Sequence, residues 1–161
     1  MLGQKVLLNQ MPIAIKDSKI DISSEETTKE LAKDLTHYLK GGEIVYLYGE
    51  MGVGKTTFVR YLINQFQKNK KLHITEVTSP TFNLLNEYDI KDLVIKHYDL
   101  FRLKDESEIK NLDLFGNNQS TITLIEWPQL ISKNKSIKTI DLIFSYENEL
   151  NNRSVKIDGL N

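Results

Sequence analysis

The chain contains 161 residues, in which 21 Lys and Arg balance 22 Asp and Glu to give a formal net charge of −1. A single domain typically takes roughly 100–200 residues, so we expect one domain over residues 1–161. The near-zero charge argues against binding nucleic acid or an anionic membrane through a large basic surface. The absence of Cys excludes disulfides, thiol nucleophiles and Cys-ligated metal centres, and it fits a reducing, cytoplasmic location.

Membrane and secretory segments are not expected. No apolar run approaches the roughly 18 residues of a membrane span, and polar residues interrupt the mildly apolar residues 1–16. That stretch also lacks a small-residue cleavage site, so we expect no signal peptide. With three His and no Cys, a bound metal should be a hard, oxygen-ligated ion, Mg²⁺ rather than Zn²⁺.

The first half of the chain alternates helix and strand patterns. Ser23 and Glu26 have the spacing of a capping box, and apolar residues then recur at near-helical spacing up to Gly41 and Gly42, a typical C-terminal stop. Residues 44–48 are a short apolar run of β-formers, typical of a strand buried on both faces. A second helical pattern runs from residue 56 to about residue 67.

The second half predicts several strands and one short helix at about residues 105–112. The strand patterns cover residues 82–88, 94–98, 121–125, 138–146 and 154–157. Strands that alternate with helices favour a parallel sheet, and the successive strands later in the chain favour some antiparallel pairing. The sequence therefore predicts an α/β fold with a mixed, mainly parallel sheet flanked by helices.

The strongest motif follows the first apolar strand. Residues 49–56 read Gly-Glu-Met-Gly-Val-Gly-Lys-Thr and match the phosphate-binding loop, or P-loop, G-x-x-x-x-G-K-[ST]. Its glycines let successive backbone N–H groups face one anion, and the next helix adds its positive N-terminal end. Lys55 is expected to reach the β- and γ-phosphates, and the Thr56 hydroxyl to ligate Mg²⁺. The strand–loop–helix context is the one this motif needs, so we expect binding of ATP or ADP with Mg²⁺.

Two carboxylates are candidates for the metal side of the site. Glu126 directly follows the buried-type strand at 121–125, whereas Asp99 follows a strand that alternates more and is expected to be half exposed. P-loop NTPases hold their Mg²⁺ with a second carboxylate from a neighbouring strand. We therefore interpret Glu126 as the Mg²⁺ partner, directly or through water, and Asp99 as the residue that orients water or senses the γ-phosphate.

The supply of Arg separates classes of P-loop protein. The chain has three, Arg60, Arg102 and Arg153, and of these we judge Arg102 well placed because it follows Asp99 closely. Phosphoryl-transfer enzymes clamp the transferring group with several cations, and no basic lid-like insertion is present. The nearest string to a guanine-reading N-K-x-D, at residues 134–137, lacks the Asp. These features favour a weak ATPase completed by another protein, with a small-molecule kinase and a non-hydrolysing, nucleotide-dependent interaction module as alternatives.

Four strings together resemble one family. The P-loop, Thr-Ser-Pro-Thr-Phe at 78–82, His-Tyr-Asp-Leu-Phe-Arg-Leu at 97–103 and Ile-Glu-Trp-Pro at 125–128 resemble, in order and spacing over about residues 23–132, the TsaE (YjeE) family. The resemblance implies a small P-loop ATPase of tRNA threonylcarbamoyladenosine (t6A) biosynthesis. It implies that TsaE binds the TsaB–TsaD pair, which modifies adenosine 37 of tRNA, and that ATP hydrolysis supports repeated turnover. Contact with tRNA would then be indirect, through the complex.

The resemblance and the loop motif together assign roles to individual residues. The nucleotide-binding set is Thr28, Gly49, Glu50, Met51, Gly52, Val53, Gly54, Lys55, Thr56 and Thr57. The catalytic set is Lys55, Asp99 and Glu126, the metal ligands are Thr56 and Glu126, and the switch or partner set is Ser79, Pro80, Thr81, Phe82, His97, Arg102 and Trp127. The sequence departs from the family at Glu50 and Met51, where the family has Asp-Leu, and at Phe101, where it has Tyr.

Overall fold

The computed structural model describes residues 19–116, 119–148 and 151–160. Its strands are β1 (Lys19–Asp21), β2 (Ile44–Tyr48), β3 (Leu85–Ile90), β4 (Leu93–Asp99), β5 (Thr121–Glu126), β6 (Thr139–Tyr146) and β7 (Arg153–Asp158). Its helices are α1 (Glu25–Leu35), α2 (Lys55–Asn69) and α3 (Glu106–Lys110). Within these ranges no helix combines the length and apolar character that crossing a membrane requires. The expectation about a signal peptide concerns residues 1–16, which lie outside the described residues.

All seven described strands form one sheet in the order β1-β7-β6-β2-β5-β4-β3. The central strands are parallel: β2 pairs with β5 and β6, and β4 pairs with β5. The pairs β1–β7, β6–β7 and β3–β4 are antiparallel. The predicted α/β fold with a mixed sheet is confirmed. Because β2, β4 and β5 are parallel, their carboxyl ends meet at one edge, where an open α/β sheet typically binds its ligand.

The two faces of the sheet are covered differently. On one face, Val45 and Leu47 of β2 pack in a core with Phe58 and Leu62 of α2 and with residues of α1. On the other face, Tyr46 packs in a smaller core covered by segments around α3 and after β5. Side chains alternate between faces along a strand, so Leu47 and its register partner Glu126 share the face that α2 covers.

The start and end of α1 correct two sequence expectations. The N-cap is Ser24, not Ser23, and its side chain accepts a hydrogen bond from the Thr27 N–H. Ser23 instead accepts from the Arg153 N–H at 2.9 Å, which ties it to β7. The helix ends at Leu35, well before the two glycines. Beyond it the backbone bonds become i→i−3, with the His37 N–H donating to Asp34 and the Tyr38 N–H to Leu35, the tighter turns that are frequent at helix ends.

The segment before β3 also differs from the prediction. Strand β3 begins at Leu85 rather than at residue 82, since residues 81–84 form a turn closed by Leu84 N–H donating to the Pro80 carbonyl oxygen at 2.6 Å. Leu84 has a φ of 67°, a left-handed conformation that no regular strand accepts. The chain therefore enters β3 only after a tight turn, and residues 79–82 lie outside the sheet.

Candidate functional site

The P-loop joins the end of β2 to the start of α2. Gly49 has a φ of 144° and Gly54, the N-cap of α2, has a φ of 116°, conformations that favour glycine. A Cβ at Gly49 would lie 2.9 Å from the Phe144 carbonyl oxygen and 2.9 Å from Val53 Cγ1. The loop therefore needs glycine at its first position for close packing as well as for its backbone turn.

Lys55 lies at the centre of the site. Its ammonium group donates to the Gly49 carbonyl oxygen, and Nζ lies 3.5 Å from the centroid of the Trp127 ring, a cation–π contact. Burial lowers the pKa of Lys55 below its usual value, while the nearby carboxylates Glu126 and Asp99 oppose that shift. An anion beside this partly desolvated cation would be strongly favoured.

Thr56 and Glu126 form the side of the site that fits a metal. The Thr56 hydroxyl donates to the Glu126 carboxylate, with Oγ1 3.1 Å from Oε1 and 3.2 Å from Oε2. Glu126 is 2% exposed, and one hydroxyl with one carboxylate is the kind of oxygen set that Mg²⁺ takes together with phosphates and water. In the described part of the chain no group of three or more His, Asp or Glu side chains forms a cage for a metal. The chain thus offers a partial Mg²⁺ site that a nucleotide would complete.

Asp99 lies beside Glu126, as its register partner in the parallel pair β4–β5. The expected alternation is present at the start of β4, but its last three residues are buried. Asp99 is 4% exposed because its side chain lies on the face of the sheet that α2 covers. Its Oδ2 accepts from Ser79 Oγ at 2.6 Å and from Thr81 Oγ1 at 3.2 Å, and its Oδ1 accepts from the Phe101 N–H at 3.0 Å. The carboxylate thereby connects the site to the segment at residues 79–82.

That segment, called here the 79–82 segment, is held from two sides. Arg102 donates from Nε to the Thr81 carbonyl oxygen at 3.1 Å and from Nη2 to the Phe82 carbonyl oxygen at 2.9 Å. Pro80 is buried, whereas Phe82 is 87% exposed, so Phe82 does not anchor the segment in the core. Arg102 supports the backbone of the segment instead of reaching the phosphate site.

A cleft of about 370 Å³ opens between the P-loop and the ends of β4 and β5. It is lined by Met51, Gly52, Gly54, Lys55, Thr56, Thr57, Ser79, Thr81, Asp99, Phe101, Glu126, Trp127 and Arg153. Trp127 has a φ of 58° and its ring centroid lies 4.9 Å from that of Phe101, so these two rings form one wall. Of the remaining loop residues, Glu50 is exposed and Val53 is fully buried in the core, which leaves Val53 only its backbone to offer a ligand.

Arg153 is the cleft residue that sequence reasoning missed. It lies at the start of β7, opposite Tyr146 of β6, and its Nη1 is 3.5 Å from where a Cβ on Gly54 would lie. Arg153 also lines a second cavity of about 240 Å³ beside the loop, with Thr28, Val53, Gly54 and Thr57. The judgement that Arg102 is the well-placed arginine is therefore wrong, since Arg153 lies at the P-loop and Arg102 does not.

Thr28 and His97 have surroundings that the sequence could not show. Thr28 is buried beside the loop, and its hydroxyl donates within the start of α1, 3.3 Å from the Ser24 carbonyl oxygen. His97 is fully buried, and its Nε2 lies 2.6 Å from Glu126 Oε2. A fully buried ring has no surface to offer another protein, so direct contact of His97 with a partner is corrected.

Comparison with known proteins agrees with this geometry. The profile of the family described as "Threonylcarbamoyl adenosine biosynthesis protein TsaE" matches residues 22–155. The chain belongs to the TsaE family. The TsaE family assignment made from the four sequence strings is thus confirmed, and the matched region contains the P-loop, both carboxylates and Arg153.

Relatives in the TsaE family vary in how much of their length they share with this chain. The "tRNA threonylcarbamoyladenosine biosynthesis protein TsaE" of Rickettsia conorii is 44% identical over 110 residues, 68% of this chain but only 61% of that relative. The protein of the same name from Bacillus subtilis is 36% identical over 120 residues, 74% of this chain and 72% of the relative. The crystal structure of Bacillus subtilis YdiB has a TM-score of 0.65 at 21% identity and covers 89% of this chain and 86% of its own, which supports the fold.

Proposed function

We propose that this protein is a weak Mg²⁺-dependent ATPase that supports t6A modification of tRNA together with the TsaB and TsaD proteins. The observation that carries the proposal is the convergence of Lys55, Thr56, Glu126 and Asp99 on one cleft at the carboxyl edge of the sheet. Membership of the TsaE family, whose curated relatives are named for tRNA threonylcarbamoyladenosine biosynthesis, supplies the biological process.

The P-loop side of the cleft binds the nucleotide. Backbone N–H groups of the loop and of the first turn of α2 face the β-phosphate, and Lys55 leaves the Trp127 ring to contact the β- and γ-phosphates. Arg153 neutralises further phosphate charge from the β7 side. The cavity beside Thr28 and Thr57 shares Gly54 and Arg153 with the cleft but is not lined by Asp99 or Glu126, and it receives the nucleoside.

The carboxylate side of the cleft acts on the γ-phosphate. Thr56 and Glu126 hold the Mg²⁺, which when bound offsets negative charge on the phosphate oxygens. Asp99 is the register partner of Glu126 and also lines the cleft. Its carboxylate accepts hydrogen bonds, and it orients the attacking water or senses the γ-phosphate. Oδ2 of Asp99 already accepts from Ser79 and Thr81, whereas Oδ1 accepts from the Phe101 N–H. A carboxylate oxygen can accept two hydrogen bonds, so Oδ1 is the atom that accepts from the water.

The need for a partner protein follows from the cations and from the exposed surface. Among the described residues, Lys55 and Arg153 are the Lys and Arg side chains that line the cleft, which is a small number for a phosphoryl-transfer site. The 79–82 segment lies next to the cleft and presents Phe82, a large exposed apolar side chain. TsaB–TsaD would contact this segment and fix a geometry that the chain alone does not hold. The net charge of −1 favours indirect contact with tRNA, through that complex.

The direct test is an ATPase assay of the protein alone and then with the TsaB–TsaD pair. We expect slow hydrolysis alone and faster hydrolysis with the pair, both dependent on Mg²⁺. ATP binding without turnover in the complete complex would contradict the ATPase and leave a nucleotide-dependent interaction module. ADP release stimulated by a small phosphate acceptor, with no added protein, would instead establish a kinase.

A further inference from the structure

His97 has an unusual position for a histidine in the sheet. It lies on β4 on the face that α2 covers, where its neighbours on the same face, Ile95 and Leu124, belong to the main apolar core. The ring is fully buried. One ring nitrogen, Nε2, lies 2.6 Å from Glu126 Oε2, whereas Nδ1 has no hydrogen-bond partner among the described residues.

Packing alone does not account for a histidine at this position. An apolar side chain would fill the space between Ile95 and Leu124 without burying a ring nitrogen that has no partner. Leaving the buried Nδ1 unpaired costs free energy. The one polar contact of the His97 ring among the described residues, from Nε2 to Glu126, offsets that cost. The contact with the carboxylate is therefore the feature that distinguishes His97 from an ordinary core residue.

The hydrogen bonds of Glu126 show what that contact can do. In the described part of the chain, the Glu126 carboxylate has two side-chain partners, Thr56 and His97. Thr56 approaches from the side of the P-loop, where the metal is proposed to bind, and its hydroxyl oxygen is needed as a ligand. His97 approaches from β4, inside the core. It is thus the partner whose position is independent of nucleotide and metal.

We propose that His97 is a positioning residue for Glu126. The Nε2–H donates to Oε2 and fixes the rotation of the carboxylate, so that Oε1 stays directed toward Thr56 and the Mg²⁺ position. This inference rests on the proposed Mg²⁺–ATP site and assigns its metal affinity partly to a side chain that touches neither metal nor nucleotide. Hydrogen-bond partners of metal-ligating carboxylates elsewhere contribute in this way.

The test compares two replacements of His97. His97→Gln places an amide N–H near the position of Nε2, whereas His97→Leu fills the site with an apolar side chain and donates nothing. Binding of a non-hydrolysable ATP analogue is measured by calorimetry in EDTA and over a series of MgCl₂ concentrations. For His97→Leu we expect the Mg²⁺ concentration at half-maximal effect to rise by about 10–100-fold, with unchanged affinity in EDTA. His97→Gln should remain close to the unmodified protein in both measurements.

Controls separate the positioning role from stability and from the proposed function. Ile95→Val, two residues away on the same face of β4, should alter the melting temperature without altering Mg²⁺ dependence. If His97→Leu does not fold, His97→Met replaces it, because its flexible side chain adapts to the same space. Unchanged Mg²⁺ dependence in the donor-free variant, or an equal loss in His97→Gln, would overturn the positioning role. If the affinity of the unmodified protein for the analogue is the same in EDTA and in MgCl₂, the proposed metal site is overturned.

Discussion

The two buried carboxylates at the carboxyl edge of the sheet, Glu126 and Asp99, occupy matching backbone positions but have different kinds of partner. They are register partners at the ends of β5 and β4, and both are nearly inaccessible to solvent. Glu126 is held by Thr56 and His97, which belong to the regular elements α2 and β4. The surroundings of Glu126 are therefore set by the core of the domain.

Asp99 is held mainly by an irregular segment. Ser79 and Thr81 donate to it from residues outside the sheet, and Arg102 holds the same segment through its backbone carbonyl groups. A segment with few buried contacts is easier to rearrange than a strand or a helix. The comparison indicates that Glu126 is a fixed part of the site, whereas Asp99 couples the site to a segment that a nucleotide or a partner can move.

The largest effect on ATP hydrolysis is expected from removing the side chains of Lys55 or Thr56, which face the proposed phosphate and metal positions. Lys55→Ala or Thr56→Ala should lower partner-stimulated ATP hydrolysis by at least about 100-fold, since each removes a group that faces phosphate or metal. The free energy of unfolding should change by no more than about 1 kcal/mol for Lys55→Ala, because burial already disfavours the charged form of Lys55. Steady-state phosphate release and thermal unfolding measure the two quantities.

A matched control for Lys55 is available in the same helix. Lys68 is exposed near the end of α2, so Lys68→Ala should leave hydrolysis unchanged. Retention of stimulated hydrolysis in Lys55→Ala or Thr56→Ala would refute the assignment of the P-loop as the nucleotide site.

The contrast between Glu126 and Asp99 is tested by replacing each carboxylate singly. Glu126→Gln should weaken Mg²⁺-dependent nucleotide binding by about 10-fold or more, because the ion loses its anionic protein ligand. Asp99→Asn should spare binding and lower turnover, because its proposed role concerns water or the γ-phosphate. Nucleotide affinity with and without Mg²⁺, together with the hydrolysis rate, distinguishes the variants. The opposite pattern would mean that the two roles are exchanged.

A smaller effect, on ADP affinity, is expected from replacing Arg153, which the fold places at the P-loop. Arg153→Gln should weaken ADP binding by about 10-fold, corresponding to loss of one hydrogen bond to a charged group. Arg60→Gln is the control, since Arg60 pairs with Glu25 across α1 and α2 at 3.5 Å and does not line the cleft. Equal affinities of the two variants, measured by calorimetry, would remove Arg153 from the nucleotide site.

The smallest and most local change is expected in the 79–82 segment. Hydrogen exchange over residues 78–86 should slow in the order ADP, a non-hydrolysable ATP analogue, and the analogue with TsaB–TsaD. A ligand moves such a segment only if it binds its arrangements with different affinity, and the γ-phosphate is the group that distinguishes ATP from ADP. Mass spectrometry of peptides from α2 provides the reference. Equal protection in all three states would make the segment an ordinary turn before β3.

The parts of the site that lie close together in the sequence were predictable. The P-loop spans eight consecutive residues between a strand and a helix, and Glu126 directly follows an apolar run. Such features depend on local backbone preference and on the hydrophobic period, which a single sequence displays. The placement of β2, β5 and the helix α2 followed from the same patterns, to within two residues at each end.

The site features that the sequence analysis did not predict depend on how the strands are arranged in the sheet. Arg153 reaches the P-loop only because β7 pairs antiparallel with β6 and β6 lies beside β2. Asp99 and His97 are buried because their side chains lie on the face of the sheet that α2 covers, although the alternation along β4 is typical of a half-exposed strand. Strand order arises from contacts between residues that are distant in the sequence, and a local pattern does not encode it.

The same strand order has a consequence for synthesis of the protein. The P-loop strand β2 lies between β5 and β6, so during translation it has neither neighbour when it leaves the ribosome. Arg153 follows the loop by roughly 100 residues, which takes about 5–20 s at typical rates of elongation. The nucleotide cleft is therefore among the last features of this domain to form, and nascent chains that still lack β5–β7 would bind ATP poorly even though the whole P-loop motif has already been made.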